Sequence, residues 1–433
     1  MLAAQNVAAV NHNANATNNN IPAFKLDAGP PVFVFPTVPS DGLLPLNGPA
    51  GNLQPHIRPT YQRLPTLDAW NATVQRQLNN STSLEIAYIG NKGTNVFAGT
   101  GNTYNVNQPS VVGFASGVPQ AQRRPYYNKF IYPDCSVSQQ QCGLSNVPVS
   151  DQLTCCSTDQ GNFLGNDANS IYHALQVKVD HRFSRGLQLL SHYTWAKANA
   201  YDANYFAISH PIAYGPDSQV RAHVWVTNLV YELPVGKGKT FAGNAGRAED
   251  LIIGGWQISG TTNWSGGLPW TAAANECGGS QGSSGSEEDV GVCRPNKGTG
   301  SFNMGAGSLQ HPAGANPYVQ YFTPLASLTG PFADPGIGNL GNVGVNSFRG
   351  PRAFFADAAL FKNFSITERV KAQFRMDAFN VFNHPVLGFN SNQGNTCIDC
   401  GGNAGQITDI EADSSPGSTT GMRQLEFALK FSF

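Results

Sequence analysis

The side chains best suited to chemistry are eight cysteines: Cys135, Cys142, Cys155, Cys156, Cys277, Cys293, Cys397 and Cys400. All fall in stretches rich in Gly, Ser, Asn and Pro, outside every strand candidate. An even number of thiols confined to loops suits disulfides in an oxidising compartment. Cys277 with Cys293 and Cys397 with Cys400 are the expected loop-closing pairs on the extracellular side. The first closes a Gly/Ser-rich loop with no core of its own, where a cross-link limits the freedom of the unfolded chain. The Cys397-Ile-Asp-Cys400 spacing also fits a redox motif or half a zinc site, but no second half is evident.

Other candidates for chemistry read more simply. The nine histidines include no HExxH and no i,i+4 pair on a plausible helix. Glu287-Glu288-Asp289 could contribute to a calcium site, yet such a site needs about six or more oxygens, and solvated loop charge is the plainer reading. Val235-Gly-Lys-Gly-Lys239 lacks the GxxxxGK[ST] spacing and follows a strand-ending Pro, so it reads as a basic turn. There is no GxSxG, and no glycosidase-type carboxylate pair can be placed. The expectation is a protein that is not an enzyme and carries no cofactor.

The elements that would position these groups are strands. Charged residues are 12% of the 433, with 47 glycines, 28 prolines and a net charge of −1. Few charges and many turn-formers suit short strands joined by polar loops. Aromatics at 10% argue against disorder, and the near-neutral balance argues against a nucleic-acid partner. No apolar stretch is long enough for a transmembrane helix, and the N-terminus shows no signal-peptide pattern.

Period-two alternation is the clearest signal. Leu425, Phe427, Leu429, Phe431 and Phe433 point one way; Gln424, Glu426, Ala428, Lys430 and Ser432 point the other. Val370, Ala372, Phe374, Met376 and Ala378 alternate likewise with Lys371, Gln373, Arg375 and Asp377. A membrane barrel puts the apolar set in lipid and the polar set in the lumen; a soluble sandwich also alternates, and alternation alone does not separate them. Length helps, since these runs approach the roughly 9–11 residues of a membrane strand. The lumen-facing set is then Lys371, Gln373, Arg375, Asp377, Glu426 and Lys430, in contact with a plug or water. Phe374 and Leu429 face lipid.

Further candidates are 67–78, 82–90, 171–183, 187–199, 221–233, 251–264 and 352–364, which with 368–381 and 422–433 make about nine strands. His173 and His181 fall on an outward face, which sits poorly with lipid. Trp70, Tyr193, Trp195, Trp225, Tyr231, Trp264, Phe431 and Phe433 lie near strand ends, as interfacial girdles require. Tight turns alternate with long irregular stretches at 91–170, 200–220, 265–351 and 382–421. Short periplasmic turns and long extracellular loops are the habit of outer-membrane barrels. No helix longer than two or three turns is expected.

Four blocks in order carry a family likeness. They are WNATVQRQLNNSTSLEIAYIGNKG at 70–93, YHALQVKVDHRFSRGLQLLSHYTWAKA at 172–198, VYELPVGKGKTF at 230–241 with GGWQISG at 254–260, and FRMDAFNVFNHPVLG at 374–388. Together they resemble TonB-dependent outer-membrane receptors of the Oar-like branch. The terminal strand resembles the C-terminal signature of bacterial outer-membrane barrels, which implies that Phe431 and Phe433 are read by the barrel-assembly machinery. The resemblance implies an all-β antiparallel transmembrane barrel in the bacterial outer membrane, importing a nutrient with energy delivered by TonB. Barrels of this class have about 22 strands around a plug.

The family's plug and TonB-binding segment are not evident. Strand parity makes residues 1–66 an extracellular loop or irregular segment, and 67–433 the C-terminal portion of a barrel. The expectation is therefore a fragment. It partners with outer-membrane lipid, the assembly machinery, and the absent plug and N-terminal strands, reaching the TonB system only through that absent part. The alternative is a surface-binding or structural outer-membrane β-protein that does not transport.

Overall fold

The computed structural model describes residues 56–57, 63–97, 104–105, 162–163, 165–201, 213–274, 294–305, 307, 309–313, 317–336, 339, 341–365, 371–389, 395–401, 403–410 and 422–432. Nine strands form one unbroken antiparallel path in sequence order: β1 Thr66–Asn79, β2 Thr82–Val96, β3 Ala168–Ser184, β4 Leu187–Tyr201, β5 His223–Glu232, β6 Trp256–Ser265, β7 Ala353–Ser365, β8 Lys371–Phe379 and β9 Gln424–Ser432. A short strand, Tyr214–Pro216, adds to β4. Among the described residues the sheet is an open arc, with β1 and β9 at its edges.

The expected strands are present; the first four run longer than expected, while β5, β6, β8 and β9 are shorter. β2 continues to Val96 because its ladder with β3 runs on through Asn91, Lys92 and Gly93, opposite Tyr172, Ile171 and Ser170. One expectation fails: residues 251–255 are not strand. Leu251, Ile252 and Ile253 close a seven-residue helix, α1, Arg247–Ile253. The Glu249 carboxylate accepts from Gly246 N at 3.0 Å and fixes the first turn. Gly255, at φ +74°, then re-aims the chain into β6. The apolar run Leu-Ile-Ile looked like strand because a short apolar run has no period of its own.

The register is staggered. The pairing row through Thr82, at the turn end of β2, passes through His181, Leu189, Leu229, Gly260, Ala358 and Ala378 to Leu425. Leu425 lies seven residues (432 − 425) short of Ser432, at the turn end of β9. Seven strand steps thus slip about seven residues. One residue of rise, ~3.4 Å, per ~4.8 Å of strand spacing tilts the strands by about 35°. Barrel walls need that tilt; flat sheets do not have it.

The two faces differ. Outward positions include Val74, Ile86, Val177, Leu189, Leu229, Ile258, Leu360, Met376 and Phe427. Val74 is 72% exposed and Phe427 65%, so this apolar face covers no core. Glu85, Lys178, Asp357, Arg375, Asp377, Glu426 and Lys430 all share the opposite face by register. A soluble sandwich would bury the first face and wet the second; this sheet does the reverse, as a membrane barrel does.

The tight connections at Asn80–Ser81 and Arg185–Gly186, together with the link holding α1, lie at the same end of the sheet as Ser432. The connections after β2, β4, β6 and β8 leave from the other end. Those after β6 and β8 are not structureless where they are described. Trp270, Phe322, Phe332, Val343 and Ile398 bury one another in a hydrophobic core, flanked by Phe302, Phe348 and Phe389. Small ladders tie it together: Pro269–Trp270 with Phe348–Arg349, and Leu309–Gln310, Tyr318–Gln320 and Gln406–Ile407 side by side. The expectation of irregular loops is corrected here. Aromatic residues from two separate loops bury apolar surface that neither loop could bury alone.

Candidate functional site

The inner face of β5 to β9 forms a recess of about 410 Å3, lined in part by Asn228, Ser259, Thr261, Asp357, Arg375, Asp377 and Glu426. Alternation on β8 brings Arg375 and Asp377 to one side. Arg375 Nε donates to both Asp377 oxygens, at 2.8 and 2.6 Å. Its guanidinium lies 4.7 Å above the Phe361 ring. The antiparallel register of β9 sets Glu426 directly opposite Asp377 and Lys430 opposite Gln373. Gln373 Nε2 donates to Asn363 Oδ1 at 2.9 Å, and Thr261 Oγ1 donates to Asn228 Oδ1 at 2.9 Å. Asp357 Oδ1 accepts from Asn380 N at 2.8 Å.

All six residues of the expected lumen set share this face. Arg375, Asp377 and Glu426 line the recess itself. Lys371, opposite Ser432, Gln373 and Lys430 continue the face toward the turn end. The recess carries three carboxylates against one guanidinium, so it can hold a polar surface or a cationic group through hydrogen bonds and charge. Asn228, Ser259, Thr261 and Asp357 belong to it and were not expected. Their strands also put Val224, Val226 and Val230 on the inner face, which hides the alternation.

The outward aromatics follow the tilt. Trp70, Tyr88, Trp195, Trp225, Trp264 and Phe354 step down one level toward the long-loop end, and Tyr231, Trp256, Phe364 and Phe431 another toward the turns. Trp256 and Trp264 share one face of β6, eight residues (264 − 256) apart. That is ~27 Å along the strand and about 22 Å along the tilted axis, close to the ~25 Å apolar band of an outer-membrane barrel. The outward histidines fall at these levels. His223 shares a 2.7 Å hydrogen bond with the Tyr193 hydroxyl, and His181 one of 2.8 Å with Thr82 Oγ1.

By register five charges on the described strands point outward: Asp68, Lys92 and Lys197 lie beyond the aromatic level at the long-loop end, and Arg76 and Lys362 lie toward the turn end. Lys362 is 3% exposed. Its ammonium donates to the carbonyls of Ile252 at 2.9 Å and Gly254 at 2.5 Å, between the Trp256 and Phe364 rings at 4.7 and 5.2 Å. A cation satisfied by carbonyls at a helix C-terminus is favourably placed.

Over the long-loop end, Cys397 and Cys400 are joined in a disulfide. Asp399 stands close by, with Oδ1 3.5 Å from Cys397 Sγ, and the three ligand atoms fall within 4.8 Å. Sulfurs bonded to each other offer no thiolate to zinc. The bridge holds Ile398 in the hydrophobic core of the cap formed by the loops after β6 and β8, where its backbone bonds Ala273 and Leu325. Burial raises the pKa of the Tyr321 phenol at the cap rim, with Arg352 opposing; its hydroxyl donates to Arg349 O at 2.9 Å. Cys135, Cys142, Cys155, Cys156, Cys277, Cys293, the 287–289 acidic cluster and Phe433 lie outside the described residues.

An uncharged outward band bounded by two aromatic levels, a charged inner face and tilted antiparallel strands define a transmembrane β-barrel protein. The family model of the outer membrane beta barrel domain matches residues 2–426, and the chain belongs to that family. Its place is the bacterial outer membrane. Similar solved structures include FpvA of Pseudomonas aeruginosa bound to heterologous pyoverdines, at 9% identity over 84% of this chain and 27% of that one, with a TM-score of 0.33. They also include the Escherichia coli outer membrane transporter YddB, at 8% over 88% and 34%, with a TM-score of 0.37. The ferric-catecholate import receptor Fiu of E. coli is similar at 10% over 85% and 40%, with a TM-score of 0.23. The chain spans less than half the length of each of these. No curated protein matches the sequence.

Proposed function

We propose that the nine strands are one arc of a TonB-dependent importer barrel of the Oar-like branch, and that the inner recess faces a plug or a passing solute. The observation that carries this reading is the segregation of charge. Between the aromatic levels Glu85, Lys178, Asp357, Arg375, Asp377 and Glu426 all face inward. A wall that keeps mixed charge inside lipid has a wet or protein-filled lumen to put it in. The four ordered sequence blocks support the branch.

The open edges of β1 and β9 support the arc, since each unpaired backbone group in lipid costs several kcal/mol. Further strands pair there in the assembled barrel, and Phe431 belongs to the strand that the assembly machinery reads. The test compares this 433-residue chain with an upstream-extended protein for heat-modifiable folding and TonB-dependent uptake. Uptake by the extended protein alone is expected. A stable monomeric barrel formed by the short chain, with β1 paired to β9, would remove the reading.

The ordered cap favours a second reading, a surface-binding outer-membrane protein without transport. A cross-linked layer with its own core presents a defined face. Ligand binding at the cell surface that is indifferent to TonB would favour it.

A further inference from the structure

We propose that the link between β5 and β6, residues 233–255, is an interfacial anchor that seats α1 in the headgroup layer of the periplasmic leaflet. Glycerophospholipid is its partner. Lys362 shares the outward face of β7 with Phe364 and stands opposite Trp256 and Phe374. Its ammonium reaches the carbonyls of Ile252 and Gly254, and Trp256 Nε1 donates to Ile252 O at 3.0 Å. α1 is therefore held against the outward side of the sheet, at the level of Trp256. A turn hanging free in the periplasm would have no such attachment.

On that side Ile252 is 72% exposed and Leu251 42%. Two large aliphatic side chains beside an interfacial Trp continue the lipid-facing band by one turn of helix. Short interfacial helices place their apolar residues among the upper acyl chains in this way.

The polar part of the link is turned to its own backbone. Asp250 Oδ1 accepts from Lys237 N at 2.6 Å, and the Glu249 carboxylate caps Gly246. The two acids thus serve the link's fold. Lys237 remains at its exposed end, while Lys239 Nζ pairs with Glu232 Oε2 at 3.2 Å, on the inner-face side of β5. A cation flanking an apolar insertion suits lipid phosphate.

This inference rests on the barrel reading, and its test separates the two. The upstream-extended protein is folded into vesicles of phosphatidylethanolamine and phosphatidylglycerol with benzoylphenylalanine replacing, in turn, Ile252, Leu429 or Glu426. Lipid adducts are read by mass spectrometry after illumination. Adducts at 252 and 429, several-fold above those at 426, are expected. Adducts at 429 with none at 252 put α1 in water and overturn the anchor while the barrel stands. Equal yields at 429 and 426, or none at either, overturn the wall and the anchor with it. The same positions in outer membranes from producing cells give the same three outcomes without depending on refolding.

Discussion

The Tyr88 hydroxyl and His173 Nδ1 share a hydrogen bond of 2.7 Å, with the two rings stacked at 6.1 Å on the outward face of adjacent strands. Trp70 joins them at 6.0 Å from the imidazole. A polar ring on a lipid-facing surface is costly when unpaired, and here it is paired and surrounded by aromatics at the interfacial level. His181, eight residues away (181 − 173) on the same face, repeats the arrangement at the other level with Thr82. The two histidines bracket Leu175, Val177 and Val179, the apolar span of β3.

Tyr88→Phe should keep the ring in its level and cost about 0.5–1.5 kcal/mol through the lost hydrogen bond. A double-mutant cycle with His173→Phe, read by urea titration in lipid, should show the two changes coupled. Strict additivity would mean that the contact contributes nothing.

Sensitivity to charge should depend on face. Met376→Arg or Phe427→Arg, nearer the midplane, should cost about 2–4 kcal/mol, and Phe374→Arg or Leu429→Arg, nearer the turn-end interface, should cost less. Gln373→Asn and Lys430→Gln, on the opposite face, should be mild. Refolding into bilayers measures this, and equal losses on both faces would contradict the register.

The cap should loosen independently of the wall. Ile398→Ala empties a fully buried site and should cost about 2–5 kcal/mol. Reduction of Cys397–Cys400 should act at the same place. Hydrogen exchange should speed up around Ala273, Leu325 and Val343 while β3 and β4 keep their protection. Loss of protection throughout the sheet would show that the two units fold as one.

The cap should also weaken in alkali. Tyr321 has its folded-state pKa raised above the ordinary 10.0, chiefly by burial. A raised value gives stability that is full below the unfolded pKa and is lost as pH climbs from there through the folded pKa. The window therefore opens near 10 and extends above it. Tyr321→Phe should flatten the loss in a near-ultraviolet titration; an unchanged profile would place the sensitivity elsewhere.

How much was legible in the sequence varied with the element. β8 and β9 were plain because Phe374, Met376, Phe427 and Leu429 alternate with charged or amide side chains almost without exception. β5 and β6 were not, because Val224, Val226 and Val230 share the inner face with Asn228, and only the pairing register reveals it. The same register explains why half of the recess was missed. The cap was illegible for another reason. Trp270, Phe322, Phe348 and Ile398 come from two loops without periodicity, and nothing local says that they meet. The Cys397–Cys400 spacing pointed to a bridge but not to the core it pins.

The one-residue slip per strand has a mechanical side. A load applied along the barrel axis does not run straight down any strand. At a tilt of about 35°, roughly four fifths of it acts along the strands and about three fifths across them. The larger component pulls neighbouring strands past one another, so a whole ladder of hydrogen bonds must yield together. The smaller one peels them apart in succession, and that mode starts wherever a strand edge is open. Strength against axial pulling would then be set at the edges of the arc, where β1 and β9 meet whatever completes the wall. A single-molecule pull on Phe431 should yield first at β9, one hairpin at a time.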